Sequence, residues 1–228
     1  MSRMLSHYHR ASFYVLLVII LSFIIMLLFF GYVGLAFRRL GLSPWTVSLL
    51  LISVLLGSFI NIPIYETRSK VPTIVLKEVK WFDLYYRIPI MEVQSRKTKV
   101  AVNLGGALIP VAMALYMILR NIQLLPLFIL GTTIVTGAVN VFAKPIKGLG
   151  IATPLFIPPI MAALTSIILY PTNPSPIAYV SGVLGTLIGA DLLNLKKVGE
   201  LGASVVSIGG AGTFDGIFLT GILAVLLA

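Results

Sequence analysis

Two carboxylates, Asp191 and Asp215, stand in the apolar C-terminal third of the chain. A charged side chain near the middle of a bilayer costs roughly 3 kcal/mol on insertion scales, so intramembrane acids mark functional positions. Two carboxyls held close in a low-dielectric pocket cannot both ionise; they share a proton, giving one base and one acid. Such a pair can activate water against a peptide bond without metal or histidine. Asn194 follows Asp191 at i+3 and falls on the same helical face. Asp215 lies in the run Gly209-Gly-Ala-Gly-Thr-Phe-Asp-Gly216. There Gly209, Gly210, Gly212 and Gly216 lack a Cβ, which weakens a helix and lets another backbone or a substrate approach. Thr213 is a candidate helix N-cap, with Asp215 in the first turn, where the helix dipole favours a carboxylate. The candidate catalytic pair is therefore Asp191 and Asp215. Asn194, Gly209, Gly210, Gly212, Thr213 and Gly216 are candidates for substrate binding or close backbone approach.

Composition narrows the chemistry. With 228 residues, 58% hydrophobic and 11% charged, and a mean hydropathy of +1.04, the chain reads as a polytopic membrane protein. There is no cysteine, which excludes disulfides, thiolate nucleophiles and Cys-ligated metals. The two histidines, His7 and His9, sit in the polar N-terminal tail, which removes Ser-His and Cys-His triads and the common zinc sites. No metal and no cofactor are expected. The net charge of +10 lies between apolar runs as topology signals, so the expected partner is the lipid bilayer rather than nucleic acid.

The elements that must position the two aspartates read as an all-α transmembrane bundle of about seven membrane segments in a single domain, residues 1–228. Helix 1 is expected over 11–37 as an uncleaved anchor, and helix 2 over 43–62, with Ser43 or Pro44 at its start and Pro63 just beyond it. Helices 3 to 6 are expected over 100–119, 124–142, 151–170 and 177–195, with Pro154, Pro158 and Pro159 kinking helix 5. The tail from Leu201 is helix 7 at least in part. Between helices 2 and 3, residues 63–98 and the adjoining Lys99 carry eight basic and four acidic side chains. This stretch reads as a small β-containing insertion or as a basic loop on anionic headgroups. The repeated Ile62-Pro-Ile-Tyr-Glu66 and Ile88-Pro-Ile-Met-Glu92 suit edge strands, where proline is tolerated. A fainter echo, Leu108-Ile-Pro-Val-Ala-Met-Ala114 and Phe156-Ile-Pro-Pro-Ile-Met-Ala162, raises a duplication of helices 3 and 5. Fourteen basic residues fall on the side of the N-terminus and of this insertion, against Arg38, Arg39 and Arg120 on the other. The positive-inside rule then predicts the N-terminus and the insertion in the cytoplasm and the C-terminus outside.

Depth constrains the pair. At 1.5 Å per residue, Asp191 sits about 6 Å from the inner end of helix 6, whereas a continuous helix from Leu201 would carry Asp215 about 21 Å deep. For the two to meet, residues 201–212 must be extended or re-entrant, with the last helix starting near Thr213. Asn103 and Asn140 are expected to join helices, and Gly182, Gly185 and Gly189 to form a close-packing face on helix 6.

Asp191-Leu-Leu in one helix followed by Gly210-Ala-Gly-Thr-Phe-Asp215-Gly-Ile-Phe218 resembles the presenilin and signal-peptide-peptidase class of intramembrane aspartyl proteases. In that class the second aspartate lies in Gly-x-Gly-Asp; here the spacing is two residues longer. The resemblance implies an aspartyl peptidase acting on transmembrane peptides. The whole chain is also similar to a prokaryotic family of polytopic membrane proteins described only as a domain of unknown function. Ala101-Val-Asn-Leu-Gly-Gly-Ala-Leu-Ile-Pro110 and Ser207-Ile-Gly-Gly-Ala-Gly-Thr-Phe-Asp-Gly216 carry that likeness, which implies a membrane location and no activity. A paired-Asp intramembrane peptidase is the leading expectation. An ion- or proton-coupled transporter with a carboxylate site and a non-enzymatic membrane scaffold are the alternatives.

Overall fold

The structure is a computed structural model that describes residues 2–81, 84–146, 150–200, 203, 205–210 and 216–228. Seven α-helices are described: α1 (Ser2–Arg39), α2 (Pro44–Gly57), α3 (Ile109–Arg120), α4 (Leu125–Phe142), α5 (Ile157–Leu169), α6 (Ser175–Thr186) and α7 (Gly216–Leu227). Five strands join them: β1 (Asn61–Trp81), β2 (Leu84–Asn103), β3 (Lys144–Ile146), β4 (Gly150–Ala152) and β5 (Val205–Ile208). By length and composition three helical spans can cross a membrane, at Tyr14–Arg39, Ile122–Phe142 and Ser175–Lys197. The other apolar helices, Pro44–Gly57, Leu104–Arg120, Ile157–Leu169 and Gly216–Leu227, are shorter.

These elements overturn the all-α bundle of about seven membrane segments. The order β1-β2-β5 forms one sheet and β3-β4 a second. Residues expected at helix starts are in strands: Val100–Asn103 ends β2, Ile151 is in β4, and the beginning of the last apolar run becomes β5. The cause is local. Val100 and Val102 alternate with Lys99 and Ala101 in a β-compatible period, and Asn103 caps the helical turn that follows them, while Pro158 stands in the first turn of α5. Pro110 and Pro158 both lie in the first turn of their helices, α3 and α5. The prolines of α5 stand in its first turn, where no intrahelical N–H is lost, so they do not kink it, whereas Pro110 follows the π-helical turn Leu104–Leu108 within the continuous helix Leu104–Arg120. Ser43 caps α2 as its sequence suggests, accepting a hydrogen bond from the Thr46 amide at 3.3 Å.

Strands β1 and β2 form an antiparallel ribbon in one-to-one register from Tyr65↔Val100 to Trp81↔Leu84, with a bulge between Pro63 and Tyr65. Each strand is about 65 Å long at 3.3 Å per residue, far beyond the short strands expected. Both faces of its outer part are exposed, including Ile74 and Met91. At its root, Lys99–Val102 of β2 pair in parallel with Val205–Ile208 of β5.

The core is organised around α6. From Ser175 to Val183 every residue is buried, and α4, α5, α7 and α3 pack around it. Glycines set the distances: a Cβ on Gly185 would lie 2.6 Å from Val135 Cγ1, and one on Gly189 would lie 2.6 Å from the Thr136 carbonyl oxygen. Gly185 and Gly189 thus set the contact with α4, whereas Gly182, expected on the same face, meets Thr220 and Ala224 of α7 and Ala162 of α5. Phe37 of α1 lies between Tyr179 of α6 and Phe218 of α7, with ring centroids 6.2 and 6.4 Å away. Arg39 Nη1 donates to the Val225 and Leu226 carbonyls at 3.1 and 3.2 Å, and Arg120 Nη1 donates to the Gly41 carbonyl at 3.2 Å. The C-terminal ends of α1, α3 and α7 thus share one end of the bundle. The ribbon, β3 and the segment Leu192–Glu200 pack together away from it.

Candidate functional site

Asp191 closes a π-helical turn, Leu187–Asp191, that continues α6. Thr186, the last residue of α6, precedes Asp191 by five positions, the hydrogen-bond spacing of a π turn. Asp191 is half-buried and has an interaction partner. Thr186 is 3% exposed, and its hydroxyl has no hydrogen-bond partner among the described residues.

The amides around this turn are occupied. Asn194 Nδ2 donates to the Gly189 and Ala190 carbonyls at 3.1 and 2.9 Å, and its Oδ1 accepts from Lys197 Nζ at 2.7 Å. Asn140 Nδ2, on α4, donates to the same Gly189 carbonyl at 3.1 Å. A π turn leaves carbonyls poorly matched to i+4 donors, and these amides satisfy them. Asn194 therefore holds the backbone beneath Asp191, and Asn140 ties α4 to α6.

The glycine-rich stretch is built on a second polar cluster. Asn103 begins the π-helical turn Leu104–Leu108: its Oδ1 accepts from the Gly106 amide at 2.7 Å, and its Nδ2 donates to the Ser58 carbonyl at 2.7 Å and to Asn61 Oδ1 at 3.1 Å. Ser207 Oγ of β5 donates to the same Asn61 oxygen at 2.6 Å. Thr98, fully buried, donates to the Ala203 carbonyl at 2.6 Å. Beyond β5 the chain turns at Gly209, whose φ of +71° suits glycine. A Cβ there would lie 2.5 Å from Ala107 Cβ, and one on Gly210 would collide with Ser207 Oγ. Gly209 and Gly210 are thus close-approach residues, but what approaches is the chain's own Gly106-Ala107 turn. Sequence reading missed Asn61, Ser207 and Thr98; the signal for them was the polar side chain in an otherwise β-branched strand end.

Gly212, Thr213 and Asp215 lie outside the described residues, and Gly216 is the first residue of α7. The packing of α7 on α6 fixes the level at which that helix begins. A Cβ on Gly221 would meet Val183 and Tyr179, and one on Gly182 would meet Thr220 and Ala224. Carrying this antiparallel register one turn further brings Gly216 level with about Leu187, roughly 6 Å along the axis from Asp191. Residues 205–210 are strand and turn rather than helix, as required if the last helix is to start near the level of Asp191.

A family model described as a protein of unknown function, DUF1614, matches residues 55–227. The chain belongs to the DUF1614 family. The matched region begins near the end of α2, so it takes in the ribbon, both π turns, β5 and α7 and leaves out α1. Two segments within the matched region, 101–110 and 207–210, meet in the structure through the β2–β5 pairing and the contact of Gly209 with Ala107. The DUF1614 region thus includes the site's polar framework. No curated protein and no solved structure matches the chain.

Proposed function

We propose that this protein is a membrane-embedded hydrolase in which Asp191 and Asp215 share a proton and cleave peptide bonds of transmembrane substrates. The observation that supports the reading is the level of α7: its first residue, immediately after Asp215 in sequence, is offset from Asp191 by about one helical turn along the bundle axis. In the reaction one carboxylate takes a proton from water while the water oxygen bonds to the peptide carbonyl carbon, and the other carboxyl gives its proton to the carbonyl oxygen. The resulting gem-diol collapses as one carboxyl gives its proton to the amide nitrogen and the other carboxylate takes a hydroxyl proton, so the C–N bond breaks, an amine and a carboxylic acid leave, and the pair again shares one proton. This is the chemistry implied by the resemblance to presenilin-type proteases, and it needs only the two acids and water.

Asp191→Asn and Asp215→Asn should each slow cleavage of a reporter transmembrane helix by about 100- to 10,000-fold. Full cleavage by either variant removes the reading. A second reading, a cation or proton site, is favoured by one feature: α7 is a half-length helix preceded by a strand and a glycine turn, as in discontinuous transporter helices. It predicts thermal stabilisation by a cation that both substitutions abolish, with no cleavage by the unsubstituted protein.

We further infer that the N-terminus and the ribbon face the cytoplasm of a cell membrane and that the C-terminal end of α7 faces outside. The support is the gathering of Arg38, Arg39 and Arg120 at one end, against fourteen basic residues on the other side.

A further inference from the structure

The α1–α2 pair encloses a feature unrelated to the aspartates. The two helices run antiparallel from the Leu40-Gly41 turn and diverge, leaving an open groove of about 870 Å³. Leu28, Gly31 and Gly34 of α1 and Val47 and Leu51 of α2 line it, and Arg38 is its one charged residue. Nothing lies within 4 Å of where a Cβ would stand on Gly31 or Gly34, so the α1 wall is recessed. Arg38 is exposed and makes no hydrogen bond or ion pair among the described residues, whereas the adjacent Arg39 is held by the end of α7.

From this geometry we infer that the groove binds an anionic phospholipid, with an acyl chain along Gly31 and Gly34 and the headgroup phosphate on Arg38. The wall is apolar and belongs to a helix that can cross a membrane, so its natural filling is hydrocarbon. The guanidinium at one end supplies charge and a donor fork suited to phosphate. A second copy of the chain fits less well. All seven acidic residues lie at or beyond Glu66, so another α1–α2 pair offers no carboxylate to Arg38. Arg38, the adjacent Arg39 and Arg120 would repel their own copies.

The test uses the full chain in nanodiscs of mixed phosphatidylcholine and phosphatidylglycerol, followed by detergent extraction and native mass spectrometry. The protein should retain phosphatidylglycerol over phosphatidylcholine by about fivefold, the ratio expected from one cation acting on an anionic headgroup. Arg38→Gln should level that ratio while leaving total retained lipid unchanged, and Arg38→Lys should keep most of it, which separates lost charge from lost fold. Gly34→Leu should reduce retention of both lipids. Excess glycerol phosphate should not displace the lipid, because the chain supplies the anchoring; displacement would make this a soluble-phosphate site and overturn the proposal. Equal retention of both lipids by the unsubstituted protein, or a dimer crosslinked through α1 and α2 in place of bound lipid, would also overturn it.

Discussion

Thr186 and Tyr179 carry buried hydroxyls on α6 that have no hydrogen-bond partner among the described residues, yet the two differ in position. Tyr179 is packed against Phe37 and the Gly221 face of α7, in the dry middle of the bundle. An unsatisfied buried hydroxyl costs about 1–3 kcal/mol, so Tyr179→Phe should hold or raise the melting temperature in detergent; a clear fall would reveal a hidden partner. Thr186 stands five residues before Asp191, near the level where α7 begins. If its hydroxyl donates to the carboxylate pair, Thr186→Val should slow reporter cleavage about 10- to 100-fold, the value of a hydrogen bond to a charged group, and Thr186→Ser should restore the rate. A merely structural Thr186 would tolerate Val and gain nothing from Ser. The aspartates and glycines could be singled out from residue type alone. Thr186 could not, because its role depends on a π turn that adds one residue to the helical repeat, and nothing in Leu187-Ile-Gly-Ala-Asp191 announces that turn.

At the scale of elements, the decisive one is β5. Its presence was legible as a physical requirement, since a continuous helix from Leu201 would have put Asp215 too deep. Its partner was not legible: parallel pairing with Lys99–Val102 joins residues about a hundred positions apart. The ribbon was legible in its proline-containing edge motifs and β-branched clusters, but not in length, because one-to-one register is a property of the pair and not of either strand. The helical spans were overcounted because apolar runs were read as single elements, although β-competent ends divide them. Gly209 joins strand to site. Its positive φ and its contact with Ala107 make Gly209→Ala destabilising by about 2–3 kcal/mol, visible as a lowered melting temperature. Gly216→Ala, with open space around it, should change stability far less.

At the scale of the whole molecule, charge asymmetry and hydrophobicity were readable from composition, and they lead to a direct check of orientation. The chain has no cysteine, so single substitutions report without background. Met91→Cys on the ribbon, where the native side chain is 81% exposed, should react with an impermeant thiol reagent only when the cytoplasmic side is open. Ile122→Cys, beside the Arg120 end and 55% exposed, should react in intact cells. The reverse pattern would invert the orientation proposed above.

The pairing of β2 with β5 also has a bearing on how the protein is made. The edge of β2 at Lys99–Val102 emerges early in synthesis, and the strand that covers it is translated only after α3, α4, α5 and α6. Throughout that interval the nascent chain presents unpaired amides and carbonyls beside apolar helices, a template for association with other chains. Assembly therefore waits on this late-made segment, and a defect in β5 or the Gly209 turn should appear first as lost yield and aggregation during insertion, before any loss of chemistry can be measured.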